Sequence, residues 1–128
     1  MMQYKVIRKA QPGVAGGGSH KYYAAAHYSG EIDFDSLSKE MSKRSTIHRA
    51  DAAAVLVMLE ELIIEGLKAG KVVRLGELGS FRIVLSSNGS GQREEVGPQS
   101  IKKGRMYFRP AKRVTDELDM LRYKEVKE

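Results

Sequence analysis

Hydrophobic residues along this chain change their period several times, and each change predicts an element. In residues 3–9, Tyr4 and Val6 alternate with Lys5 and Ile7, the spacing of a strand. "QPGVAGGGSH" then breaks the pattern with three consecutive glycines, and residues 22–28 resume it. These two strands predict an amino-terminal hairpin with a long tip. The period next lengthens to three and four. Phe34, Leu37 and Met41 place one apolar face on a short helix that Asp33 or Asp35 caps and that runs to about Arg44.

A second helix, residues 49–69, carries the expected core stripe Ala52, Val55, Leu56, Leu59, Leu62, Ile63 and Gly66. His48 stands at its cap position and Asp51 in its first turn, where the helix dipole favours a carboxylate. Val57, Met58 and Ile64 lie off the stripe, so this helix is apolar nearly all round. One small chain cannot cover such a rod, which predicts a second subunit against it. Gly70 ends the helix. Strands follow at residues 71–75 and 80–86, joined through Gly76-Glu77-Leu78-Gly79. Val73, Leu75, Phe81, Ile83 and Leu85 form one face and Arg74 and Arg82 the other. "SSNGSGQREEVGPQS" interrupts, and "IKKGRMYF" resumes a strand at Ile101, the grammar of a protruding hairpin. Pro110 is expected to open a last helix with Val114, Leu118 and Leu121 inward, and "RYKEVKE" to fray or add a short strand.

Charge sharpens this picture. The chain of 128 residues carries +6, and residues 86–113 hold seven Lys or Arg against Glu94 and Glu95, a local excess of +5. A basic block beside a strand ribbon points to nucleic acid. With no cysteine, disulfides and thiolate metal sites are excluded. His20, His27 and His48 have no ligand spacing, so no metal or other cofactor is expected. The glycine loop fails as a phosphate cradle, because Ser19 stands where the P-loop lysine must be. Glu60 and Glu61, adjacent on a helix, diverge, and no serine sits in a nucleophile elbow. Neither an enzyme nor a small-molecule substrate is indicated. Glu60, Glu61 and Glu65 cut the longest apolar stretch, so no membrane span is expected and the chain reads as cytoplasmic.

The segments "AGKVVRLGELGSFRI" and "YFRPAKRVTDEL" resemble the glycine-jointed turn and the Phe-x-Pro-Gly-Lys helix start of the bacterial histone-like family typified by HU and integration host factor. The resemblance covers residues 33–121; residues 1–32 look like the strand extension of a variant group found in Bacteroides-type bacteria. It implies an α+β fold with two amino-terminal helices, a β-hairpin with a protruding arm at about residues 86–107 and a carboxy-terminal helix. An extra β-hairpin (1–32) precedes that domain (33–121) and a charged tail (122–128) follows it. It further implies an intertwined homodimer of the nucleoid that binds double-stranded DNA largely without regard to sequence. In HU and integration host factor themselves, apolar wedges inserted between base steps bend the duplex.

On this reading Arg109 and Lys112 match the family's phosphate-binding positions, and Arg82, Arg93, Lys102, Lys103, Arg105 and Arg113 join them by charge. Val55, Met58, Leu59, Leu62, Leu78 and Phe81 are the expected dimer interface. The family's Arg-Asn-Pro arm tip is missing; Pro98 is the only arm proline, the one candidate wedge, and more simply a turn proline. Val84 and Ser86 stand about where the family places arginines, so its sharp bending does not carry over. A second reading therefore stays open: a dimeric protein-interaction scaffold on the same fold, with weak or lost DNA binding.

Overall fold

The computed structural model describes residues 1–11 and 13–127; of the glycine loop, Pro12 lies outside them, as does Glu128 of the tail. The chain divides into two units, Met1–Asp33 with Glu117–Glu128, and Phe34–Asp116.

The first unit is a three-stranded sheet, with β1 (Met2–Lys9) between β2 (Lys21–His27) and β6 (Tyr123–Glu125). Strands β1 and β2 pair antiparallel without interruption from Gln3↔His27 to Lys9↔Lys21. The short β6 lies parallel to β1, so the charged tail forms a strand. Its flanks are tied in by Met2 N–H donating to the Arg122 carbonyl at 2.9 Å and Val126 N–H to the Tyr4 carbonyl at 2.9 Å.

The second unit opens with α1 (Phe34–Arg44) and α2 (Arg49–Lys68). Asp35 in the first turn of α1, and Lys43 and Arg44 in its last, complement the helix dipole. Where these helices pack, the most buried side chains are small. Ser38 and Ala52 are both inaccessible, and the Ser38 hydroxyl donates back to the Asp35 carbonyl at 2.9 Å. Phe34, Leu37 and Met41 share the helix face of Ser38, and Phe34 borders Ala50, Ala53 and Val57 of α2, yet each of the three stays more than a third exposed. The core stripe expected on α2 is corrected in the same way. Ala52, Leu56 and Leu67 are buried, whereas Val55, Leu59 and Leu62 are open. Among the described residues no helix is long and apolar enough to cross a membrane.

A paired hydrogen-bond motif ends α2, with Lys71 N–H reaching the Gly66 carbonyl and Gly70 N–H the Leu67 carbonyl, both at 3.0 Å, across Gly70 at φ +75°. Three antiparallel strands follow in the order β3 (Val73–Leu75), β4 (Gly79–Ser87), β5 (Ile101–Pro110). The joint between β3 and β4 is a turn closed by Leu78 N–H on the Leu75 carbonyl at 2.9 Å, with Gly76 at φ +49°.

At the far end, Pro110 differs from expectation. It is the last residue of β5, opposite Gly79, and α3 starts two residues later as Lys112–Leu118. Ala111 makes the corner: its N–H donates to the Leu78 carbonyl at 3.0 Å, and its carbonyl accepts from Val114 and Thr115. Seven residues do not reach Leu121, and Leu118 and Leu121 are exposed rather than inward.

Candidate nucleic-acid interface

Cross-strand register decides which cations share a face, because residues directly opposite one another in a ladder point the same way. Pairing runs Arg74↔Ser80↔Arg109 across all three strands, then Arg82↔Tyr107, Val84↔Arg105 and Ser86↔Lys103 along β4 and β5. Arg74, Arg82, Lys103, Arg105 and Arg109 thus stand on one side. No Asp or Glu occurs in these three strands. The other side is apolar: Val73↔Phe81↔Phe108, Ile83↔Met106 and Leu85↔Gly104. The Phe81 ring meets Phe108 edge-on with centroids 4.9 Å apart, so this predicted interface residue is half-buried within its own chain.

Near the joint the cationic face deepens into a groove of about 370 Å³ lined by Arg74, Ser80, Arg82, Arg109, Pro110 and Lys112. Arg82 is the half-buried member. Its Nη2 donates to the Ser80 hydroxyl at 3.2 Å, while its buried Nε has no hydrogen-bond partner among the described residues. A guanidinium held this way is partly stripped of water before any ligand arrives, which strengthens its attraction for an anion. Gly79 shapes the groove floor. At φ +151°, a Cβ there would collide with the Arg109 carbonyl oxygen and lie 2.7 Å from Phe108 Cζ.

The remaining predicted cations separate from this group. A bulge between Ser86 and Ser87 sets Ile101 opposite Ser87 and leaves Lys102 without a cross-strand partner in the register that defines the cationic face. Arg93 lies beyond the ladder in a short 3₁₀ turn, Arg93–Glu95, beside two carboxylates. A second such turn, Pro98–Ser100, begins with the exposed Pro98. Glu95 fastens this folded tip, accepting from the Ser90 hydroxyl while its carbonyl accepts from Gln99 Nε2 at 3.2 Å. Arg113 binds Glu77 at 2.6 Å, and Lys112 lies 3.6 Å from Asp116. Arg74 joins the face although the basic block 86–113 does not contain it. Its alternation with Val73 and Leu75 was the signal.

The predicted interface residues of α2 and the joint are open: Met58 is 53% exposed, Leu62 62% and Leu78 50%, with Val55 and Leu59 beside them.

The helix pair, the glycine-jointed sheet and its long β4–β5 hairpin define an HU-like α+β fold. The chain belongs to the HU-HIG family, described as an HU domain fused to a wHTH, Ig or glycine-rich motif, whose model it matches over residues 1–125. Its fold is similar to the crystal structure of a candidate bacterial DNA-binding protein from Bacteroides vulgatus ATCC 8482. The TM-score is 0.66 at 12% identity over 98% of this chain and 48% of that one, so this chain spans about half the length of that protein. It is also similar to an Anabaena HU–DNA cocrystal structure, with a TM-score of 0.56 and 20% identity over 70% of this chain and 100% of the other. No curated protein matches it in sequence.

Proposed function

We propose that this protein is an architectural, largely sequence-independent binder of double-stranded DNA, acting as a homodimer in the cytoplasm on the bacterial nucleoid. The observation that carries the reading is the single-signed face of the β3-β4-β5 sheet, with Arg74, Arg82, Lys103, Arg105 and Arg109 in register. From Lys103 to Arg109 is about 20 Å of strand, against which a duplex sets on the order of twelve phosphates. Five cations without a carboxylate among them suit that lattice of charge. They do not read bases. Lys112, at the groove, adds a sixth contact; Arg113 reaches phosphate only by releasing Glu77. Lys102 and Arg93 serve as peripheral attraction, and Pro98 remains the arm's candidate wedge. An HU protein crystallised with DNA shares the fold, which agrees with a DNA partner. The open apolar residues Val55, Met58, Leu59 and Leu62, with Leu78, form the homodimer contact, and Phe81 supports it from beneath.

The test is fluorescence anisotropy of a short labelled duplex across a salt series. Binding should weaken with a log–log slope of about −0.9 per phosphate contact, hence about −5 for the six contacts of one subunit and about −11 when both subunits engage the duplex. Replacing Arg82 and Arg109 with alanine should flatten that slope by about two contacts for each engaged subunit. Absence of binding at low salt, or binding indifferent to both replacements, overturns the reading. It would favour instead a dimeric interaction scaffold, to which the acidic arm tip at Glu94 and Glu95 lends support.

A further inference from the structure

We infer that β2 is a self-docking strand that pairs antiparallel with β2 of a second copy about a two-fold axis at Ala24, joining two amino-terminal sheets into one. The inference stands apart from the nucleic-acid reading and uses none of its residues. β2 is the edge of its sheet, seven residues long, in unbroken register with β1 and without proline or bulge. Natural sheets ordinarily blunt such an edge. The opposite edge, β6, is only three residues long.

The strand Lys21-Tyr22-Tyr23-Ala24-Ala25-Ala26-His27 is complementary to itself by size. Pairing about Ala24 sets Tyr22 against Ala26, Tyr23 against Ala25 and Ala24 against its own copy. Each large ring thereby meets a small neighbour, and no two rings collide. This register also keeps the two faces of the sheet distinct. Register in β1 and β2 puts Tyr4, Val6, Tyr22, Ala24 and Ala26 on one face, with Arg8 at its end opposite Tyr22, and Lys5, Ile7, Lys9, Lys21 and Tyr23 on the other. A slip by one residue would join the apolar face of one copy to the lysine face of the next. On the apolar face an open trough of about 540 Å³, lined by Met2, Tyr4, Ala24, Ala26, Leu121 and Tyr123, begins beside Ala26. The partner's tyrosine opposite Ala26 fills it. Tyr22, now 70% exposed, is that residue.

Because the chain contains no cysteine, one introduced thiol reports the geometry. Directly opposite residues of an antiparallel pair have Cα atoms about 4.5–5.5 Å apart, within disulfide reach. Without DNA and under mild oxidation, Ala24→Cys should form a disulfide-linked dimer on the order of a hundredfold faster than Ser29→Cys, just past the strand, as a proximity effect predicts. Adding Tyr22→Glu should abolish the difference while circular dichroism stays unchanged. Cross-linking of Ala24→Cys no faster than that of Ser29→Cys overturns the inference, as does a rate that Tyr22→Glu leaves intact. DNA binding, measured separately, stands or falls on Arg82 and Arg109.

Discussion

Gly79 and Gly76 flank the same turn, yet they face different constraints. A Cβ on Gly79 meets the Arg109 carbonyl and lies 2.7 Å from Phe108 Cζ, at a φ of +151° that L-residues avoid; Gly76, at φ +49°, has nothing within 4 Å. Steric conflict with backbone cannot be relieved by a rotamer change, whereas left-handed geometry alone is tolerable. Gly76→Ala should therefore cost about 1–2 kcal/mol, the left-handed penalty, and Gly79→Ala about 3 kcal/mol or more, because overpacking adds to it. Urea denaturation at one fixed protein concentration checks the order, since concentration shifts the midpoint of any self-associating protein. Equal losses would mean that β5 yields at Arg109, and the groove beside it would then be soft.

At the scale of elements, α1 and α2 are joined by charge as well as by the close approach at Ser38 and Ala52. Asp35 accepts from Arg49 and lies 3.2 Å from Lys39, and these hydrogen bonds, Arg49's first, hold its carboxyl below the ordinary 3.8. A carboxyl depressed in the folded state contributes stability that is present above about pH 3.8 and lost as pH falls through its lower folded value. Asp35→Asn should destabilise the protein by an amount constant at neutral pH that fades below about pH 4, seen as converging melting temperatures of the two proteins. Because the pair is exposed, added salt should shrink the difference as well. Much of this layer was legible in advance. Helical spacing marked α1 and α2, alternation marked β1 to β5, and the parity of Arg74 and Arg82 foretold a cationic face. What parity could not foretell is the bulge at Ser86 and Ser87, which leaves Lys102 without a partner in the ladder. Nor could it assign Pro110, whose fixed φ suits a strand end as well as a first helical turn.

For the whole molecule, area limits what a lone chain can be. A 14.2 kDa globular monomer exposes about 6,800 Å², and this chain exposes 10861 Å². Val55, Leu59 and Leu62 fit both the core stripe of α2 and the expected dimer interface, because periodicity reports that a face is apolar and not whose chain covers it. That ambiguity defines a sharp measurement. In an isolated chain Leu62 is a surface residue at 62% exposure, and exchanging it for glutamate should be nearly neutral. In a homodimer built on α2, Leu62→Glu buries an unpaired carboxylate in each subunit, costing about 3–5 kcal/mol and weakening association more than a hundredfold. With Tyr22→Glu present in both proteins to remove pairing through β2, sedimentation equilibrium at micromolar concentration should find dimers with Leu62 and monomers with Leu62→Glu. Duplex binding should fall with it, since a monomer offers one cationic face where a dimer offers two, and the salt slope should drop from about −11 toward about −5.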